Sequence, residues 1–245
     1  MTLRDFFTES LKITNEELLK ELCSVSVFTK LKKGEHVVKR GQRQSSIAFL
    51  VEGICRGYYE SVDGKEVTEC FGCRCGMPAM ACHDLDSPAE TSLVAETDMT
   101  CVRVPIVTIK ALLKQYTELV YVYNNLLVNS LEEHLKLKQI LYKYDAMGRY
   151  QWFLDTYPGL IDIVSHKDIA SFLGMTPVTL SRLRRNLRGG GGVPYLRKRQ
   201  QKNRNPQRAG VKTPVFLLEE GQVLTWVNYR AGYMWHNKSV GKFDI

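Results

Sequence analysis

Apolar positions recur at helical spacing through the first thirty residues: Phe6, Phe7 and Leu11, then Leu18, Leu19 and Leu22. That spacing predicts one or two helices. From Leu31 to about Pro105 the apolar runs shorten and glycines punctuate them, with Gly34, Gly41, Gly53 and Gly64 in the first half. Asp63-Gly64, between Gly57–Glu60 and Glu66–Thr68, has the composition of a tight hairpin turn. Short strands at this spacing predict a β-sandwich or jelly-roll barrel. From Ile106 to Lys143 the pattern turns helical and stays so. Leu119, Val120, Tyr123, Leu126, Leu127, Leu131, Leu135 and Leu141 form a wide stripe without Gly or Pro. So long a helix beside a small β domain needs a partner surface. A second copy across a two-fold seam supplies one, and packing of the first turns on the chain's own barrel is the alternative. Residues 144–187 read as a compact helical unit. Gly189–Gly192 and a basic stretch follow, read as mobile, and then a half-apolar tail with Trp226 and Trp235.

Composition changes this picture little. The chain has 245 residues, 44% hydrophobic and 24% charged, an ordinary balance for a globular protein. No apolar run approaches the roughly 18–20 residues that span a bilayer, and Met1–Phe7 does not read as a secretion signal. A cytoplasmic protein without a membrane partner is expected. Seven cysteines, four of them between Cys70 and Cys82, do not suggest a secreted disulfide framework. The net charge is +8, and eight Lys and Arg residues without an acid lie between Arg188 and Lys212. The excess therefore says little about the folded part, and any argument for nucleic acid has to come from a motif.

That motif is Ser165-His-Lys-Asp-Ile-Ala-Ser-Phe-Leu-Gly-Met-Thr-Pro-Val-Thr-Leu-Ser-Arg-Leu-Arg-Arg-Asn-Leu187. Ser165 with Asp168 resembles a capping box. Ile169, Phe172 and Leu173 share a face, and Gly174 supplies a turn. Thr176 is a natural N-cap and Pro177 a natural first helical residue. Two short helices about three residues apart are the spacing of a helix-turn-helix. At 100° per residue, Leu180, Leu183 and Leu187 fall on the packed side of the second helix, and Val178, Ser181, Arg182 and Arg185 cluster opposite. Such a face suits a major groove: arginine forks onto guanine, and valine meets a thymine methyl. Arg184, nearer the buried edge, is expected at phosphate, as are Ser165, His166 and Lys167. A generic helical hairpin with a solvated basic face is the competing reading.

The whole layout resembles the cyclic AMP receptor and fumarate–nitrate reduction regulator (Crp/Fnr) family over about residues 20–187. The resemblance is carried by Leu31–Glu35, Arg40-Gly41, Phe49–Gly53, Arg56–Tyr59 and Asp63–Glu66. Ala146, Arg149, Tyr150, Phe153, Leu154, Tyr157 and Pro158 carry it through the linker, and Ile169–Arg182 through the reading part. It implies an α+β chain: a double-stranded β-helix (jelly-roll) sensor of the cyclic-nucleotide-binding kind over 1–115, a dimerisation helix over 116–143, and a winged helix-turn-helix over 144–190. An atypical tail occupies 191–245. It further implies an effector-controlled homodimer on a two-fold operator in double-stranded DNA, and it leaves RNA polymerase open as a further partner.

Family members that bind cyclic nucleotides use a Gly-Glu pair for ribose and an Arg-Ser or Arg-Thr pair for the cyclic phosphate. Here those places hold Gly76-Met77 and Ser87–Ser92, with Glu90 and Thr91 but no arginine. A carboxylate facing a cyclic phosphate is repulsive, so cyclic AMP is not the expected effector. Arg56, Gly76, Met77, Glu90 and Thr91 are the candidate contacts for an unknown small molecule. Cys70, Cys73, Cys75 and Cys82, with His83, suggest zinc, an iron–sulfur cluster or thiol redox chemistry as an alternative. Against it, strand alternation sends Cys73 and Cys75 to one face and Cys70 to the other. Cys55 and Cys101 read as core residues, and His134 as a seam or surface residue. A metal- or thiol-handling protein with a vestigial helix-turn-helix is the rival function. No phosphate-cradling, nucleophile-elbow or zinc-protease motif is present, so no enzyme is expected. Gly189–Gly192 and the basic stretch do not resemble a wing.

Overall fold

The computed structural model describes residues 1–82 and 84–188, together with the backbone of four short strands between 222 and 239. Two compact units result, 1–192 and 193–245.

The first unit opens with a helical turn, α1 (Leu3–Asp5), capped by Thr2, which runs into a π-helical stretch, Phe6–Ser10. Asn15 caps α2 (Glu16–Val25). Eight strands follow: β1 (Val27–Leu31), β2 (His36–Val38), β3 (Ser46–Glu52), β4 (Cys55–Glu60), β5 (Glu66–Gly72), β6 (Pro78–Ala79), β7 (Ser92–Ala95) and β8 (Met99–Pro105). They form two four-stranded antiparallel sheets, β1-β8-β3-β6 and β2-β7-β4-β5. The first strand begins at Val27, four residues earlier than the apolar pattern suggested.

β3 shows why the pattern there was a run and not an alternation. Ile47 and Phe49 pack with Phe6, Phe7, Leu18 and Val102 on one side of their sheet. Ala48 and Leu50 join Leu31, Cys55, Leu93, Met99 and Cys101, a core drawn from both sheets. A strand covered on both faces needs apolar residues at every position. Asp63-Gly64 does turn the β4–β5 hairpin, with Gly64 at φ 71°. Past the turn the ladder is irregular: Tyr58 faces Thr68 while Gly57 faces Cys70, so Glu69 is an extra, bulged residue.

The helical region after the strands is divided in two. α3 (Ile106–Leu113) ends in a turn at Lys114–Tyr116, and α4 (Thr117–Lys143) starts afresh. The break brings the Tyr116 hydroxyl to Glu21 Oε1 at 2.6 Å, a long-range contact invisible to periodicity. Glu118 then ties α4 down, accepting from Thr14 N, Thr14 Oγ1 and Asn15 N at 2.7–2.9 Å. Leu119 is buried, and Tyr123 and Leu126 lean on the chain's own β domain. Beyond them, Val128, Leu131, Leu135 and Tyr142 are exposed.

Asp145 caps α5 (Ala146–Thr156), a 3-10 turn spans Leu160–Asp162, and α6 (His166–Phe172) and α7 (Pro177–Arg188) complete the unit. Their core, with Phe153, Ile169, Leu173 and Leu180 fully buried, includes Ile54 and Phe71 from the β domain. The expected boundary at 144 therefore does not separate two cores. The Phe71 ring lies 5.2 Å from that of Phe172 and 6.4 Å from that of Phe153.

In the second unit, β9 (Gln222–Thr225) pairs antiparallel with β12 (His236–Ser239), and β10 (Asn228–Tyr229) with β11 (Gly232–Tyr233). The expectations for Gly189–Gly192, the basic stretch, Trp226, Trp235, the absent wing and His83 lie outside the described residues. Among the described residues no helix is long and apolar enough to cross a membrane.

Candidate nucleic-acid interface and sensor cavity

The turn between α6 and α7 is built by backbone bonds. Met175 N donates to Ala170 O at 2.9 Å and Gly174 N to Ser171 O at 3.0 Å, with Gly174 at φ 59°. This pair of bonds is the Schellman closure, which favours glycine at the left-handed position. Thr176 Oγ1 accepts from Thr179 N at 3.1 Å and begins α7. Leu180 is fully buried, with Leu183 and Leu187 packed beside it. Val178, Ser181, Arg182 and Arg185 are exposed on the other side, as the helical projection required.

Two neighbours differ from expectation. Arg184 is turned inward: its side chain is 14% exposed, with Nη2 3.6 Å from Asp162 Oδ1 and Nη1 3.2 Å from His166 Nδ1. It is engaged by its own chain and not held out toward phosphate. The Ser165–Asp168 box is also only half formed. Ser165 Oγ accepts from Asp168 N at 3.1 Å, but the Asp168 carboxylate accepts the Ser165 hydroxyl at 2.6 Å and faces Arg56. Ser165, His166 and Lys167 are exposed at the start of α6.

A cavity of about 620 Å³ lies in the β domain against α4. Four of the five expected effector residues line it: Gly76, Met77, Glu90 and Thr91. Arg56 does not. Its guanidinium is buried against Glu96, Glu66 and Asp168, and the ion pair with Asp168 reaches α6. The parity of β4 explains this: Cys55 and Gly57 line the cavity, so the residue between them points the other way. An arginine set within a buried strand was the available signal, and its partners, distant in sequence, were not.

Cys55, Cys70, Cys75 and Cys82 also line the cavity, whereas Cys73 does not. β5 ends at Gly72, so Cys73 and Cys75 sit in a turn, both exposed, and strand alternation does not apply to them. Cys75 Sγ is 3.2 Å from Ser10 Oγ. Burial first pushes the thiols of Cys55 and Cys70 up to about 12, with Cys70 and Cys101 adding to it for Cys55 and Glu69 for Cys70. They are neutral at ordinary pH and not reactive thiolates. Among the described residues, no three or more His, Cys, Asp or Glu side chains are grouped to hold a metal ion. Arg74 is paired with Glu133. His134 leans toward Glu69, with Nε2 at 3.7 Å from Oε1, and its Nδ1 lies 2.7 Å from Ser130 O.

Residues 28–116 match the family described as the cyclic nucleotide-binding domain. Among solved structures, FixK2 from Bradyrhizobium japonicum is similar with a TM-score of 0.59 at 18% identity, over 68% of this chain and 86% of that one. A Eubacterium rectale protein assigned to the crp/fnr family of transcriptional regulators gives 0.58 at 18%, over 73% and 85%. The chain has the Crp/Fnr fold. CLP from Xanthomonas campestris, a c-di-GMP responsive global regulator, shares it with a TM-score of 0.58 at 15% identity, over 72% and 93%. No curated protein matches the chain by sequence. Within the Crp/Fnr fold the matched segment is the β domain that holds the cavity.

Proposed function

We propose that this protein is a sequence-specific DNA-binding transcription regulator of Crp/Fnr type, acting as a homodimer under control of a small molecule in the β-domain cavity. The exposed face of α7 carries the reading. Val178, Ser181, Arg182 and Arg185 project from a helix whose other side is anchored by Leu180, and that combination suits base edges in a major groove. Lys167 serves the phosphate backbone.

The dimer is supported by α4. Tyr121, Val128, Leu131, Leu135 and Tyr142 are exposed apolar residues that follow, with Asn124 and Lys138, the alternating three- and four-residue steps of a coiled-coil seam. Two copies joined there present two reading helices to half-sites roughly 34 Å apart. Effector control is then a shift between populations of two dimer geometries.

The cavity's chemistry argues against a cyclic nucleotide. Met77 stands where ribose would need a carboxylate, Glu90 stands in the phosphate region, and Arg74 is already paired with Glu133. A cyclic AMP titration with micromolar affinity would overturn this part. The reading as a whole is tested by selecting bound sequences from random DNA with the purified protein, aerobically and anaerobically. A two-fold palindrome is the expected result, and binding that ignores sequence would refute it. A difference with oxygen would bring Cys75, the exposed thiol of the cavity, into the control of the switch.

A further inference from the structure

We infer that Arg56 is a positioning residue for the reading helix: a β-domain guanidinium that holds α6 through Asp168 and so sets where α7 stands in each half of a two-fold site. The inference rests on the DNA-reading function proposed above and names what fixes its geometry.

Arg56 is 6% exposed. Its Nε donates to Glu96 Oε1 at 2.5 Å, its Nη2 to Glu66 Oε2 at 3.0 Å, and its guanidinium lies 4.5 Å from the centre of the Tyr58 ring. Those partners belong to the β domain, and two carboxylates already offset the charge. The Nη1 group faces Thr68 Oγ1 at 3.4 Å and Asp168 Oδ1 at 3.6 Å. Asp168 is the part of the cluster that β-domain stability does not require.

Asp168 costs desolvation where it stands, since an acid at the start of a helix is ordinarily left in water. Arg56 offsets that cost only while α6 stays docked. Two further contacts lie on the same face of α6. Ser171 Oγ accepts from Thr68 N at 3.0 Å and donates to Glu66 O at 3.4 Å, and the Phe172 ring meets that of Phe71. Asp168, Ser171 and Phe172 are spaced three and four residues apart, so one stripe of α6 is fixed to the β4–β5 hairpin, Asp168 to β4 and the other two to β5. Leu173 and Leu180 share a core across the Gly174 turn, so a displacement of α6 carries α7 with it. On β4, the neighbours of Arg56 face the cavity. A side chain of this kind fixes an orientation more than it adds stability.

The test uses full-length protein and the operator obtained by selection, with one or two base pairs added or removed between the half-sites. Wild type is expected to lose about tenfold or more in affinity on the altered spacings. Asp168→Asn keeps a polar partner for Ser165 and leaves Arg56 paired with Glu96 and Glu66. It is expected to cut that spacing penalty to less than about threefold, with preferences at single bases inside each half-site unchanged. Should circular dichroism show the variant unfolded, Ser171→Ala is read for the same pattern. A variant that keeps the wild-type spacing penalty, or loses affinity evenly across spacings and bases, overturns the inference and leaves the DNA-reading proposal standing. Wild type that selects no two-fold sequence sinks both.

Discussion

Arg182 and Arg185 differ from Arg184 by very little in sequence and by everything in surroundings. The first two are exposed on the free side of α7, whereas Arg184 is held by Asp162 and His166. Arg182→Ala and Arg185→Ala should each weaken operator binding by about 1–3 kcal/mol and relax the choice of one base. Lys167→Ala should weaken all sequences evenly and lower the salt slope. Electrophoretic shifts on single-base operator variants at two salt concentrations separate these outcomes. The cap at Thr176 and the turn at Gly174 were legible in the sequence because their partners lie within five residues. The position of Arg184 near the buried edge was legible too, but its partners Asp162 and His166 and the burial of Arg56 were not, because those groups, with Glu96 and Asp168, come together only once the chain has folded.

Among elements, α4 does two jobs in succession. Its first turns are tied to the N-terminal segment by Glu118, and its later turns expose the apolar stripe proposed as the dimer seam. Leu131→Glu places a charge on that seam and should convert the dimer to a folded monomer, read by analytical ultracentrifugation with unchanged circular dichroism. Persistence of the dimer would move the interface elsewhere. Burial alone would raise the Glu118 carboxyl, but hydrogen bonds from Thr14 and Asn15 outweigh it and hold it below the ordinary 4.5. A depressed carboxyl contributes stability above its unfolded value and loses it as pH falls through the folded one. The Tm gap between wild type and Glu118→Gln should therefore be full at pH 7 and close as pH drops below that ordinary value. Periodicity exposed the long helix because one repeat runs through it. The break before Thr117 does not show in the apolar pattern itself, since a hydroxyl reaching Glu21 leaves no mark there; the helix start at 116 came from the resemblance.

From residue 1 to 188, the β domain and the helical part that follows α4 share a core. Phe71, a β5 residue, is packed by Phe153, Tyr157 and Phe172 from the helical part. Phe71→Ala should cost about 3–5 kcal/mol and lower one common melting transition, observed by calorimetry. A separate, unshifted transition for either part would contradict the shared core. The glycine-broken strand pattern located the β domain and the Ser165–Leu187 motif the two short helices, but the joint between them could not be read from either pattern. It depends on Thr68 and Phe71 facing the same way, which strict alternation denies and the bulge at Glu69 restores.

That bulge makes this hairpin unequally tolerant of changes in length. Excising residue 69 would leave Thr68 opposite Tyr58, Cys70 opposite Gly57 and Phe71 opposite Arg56, every facing preserved, in a straighter ribbon. Excising Val67 instead would swap inside for outside along the remainder of the strand. One codon in this stretch is thus dispensable for pairing, and it encodes the acid that meets His134.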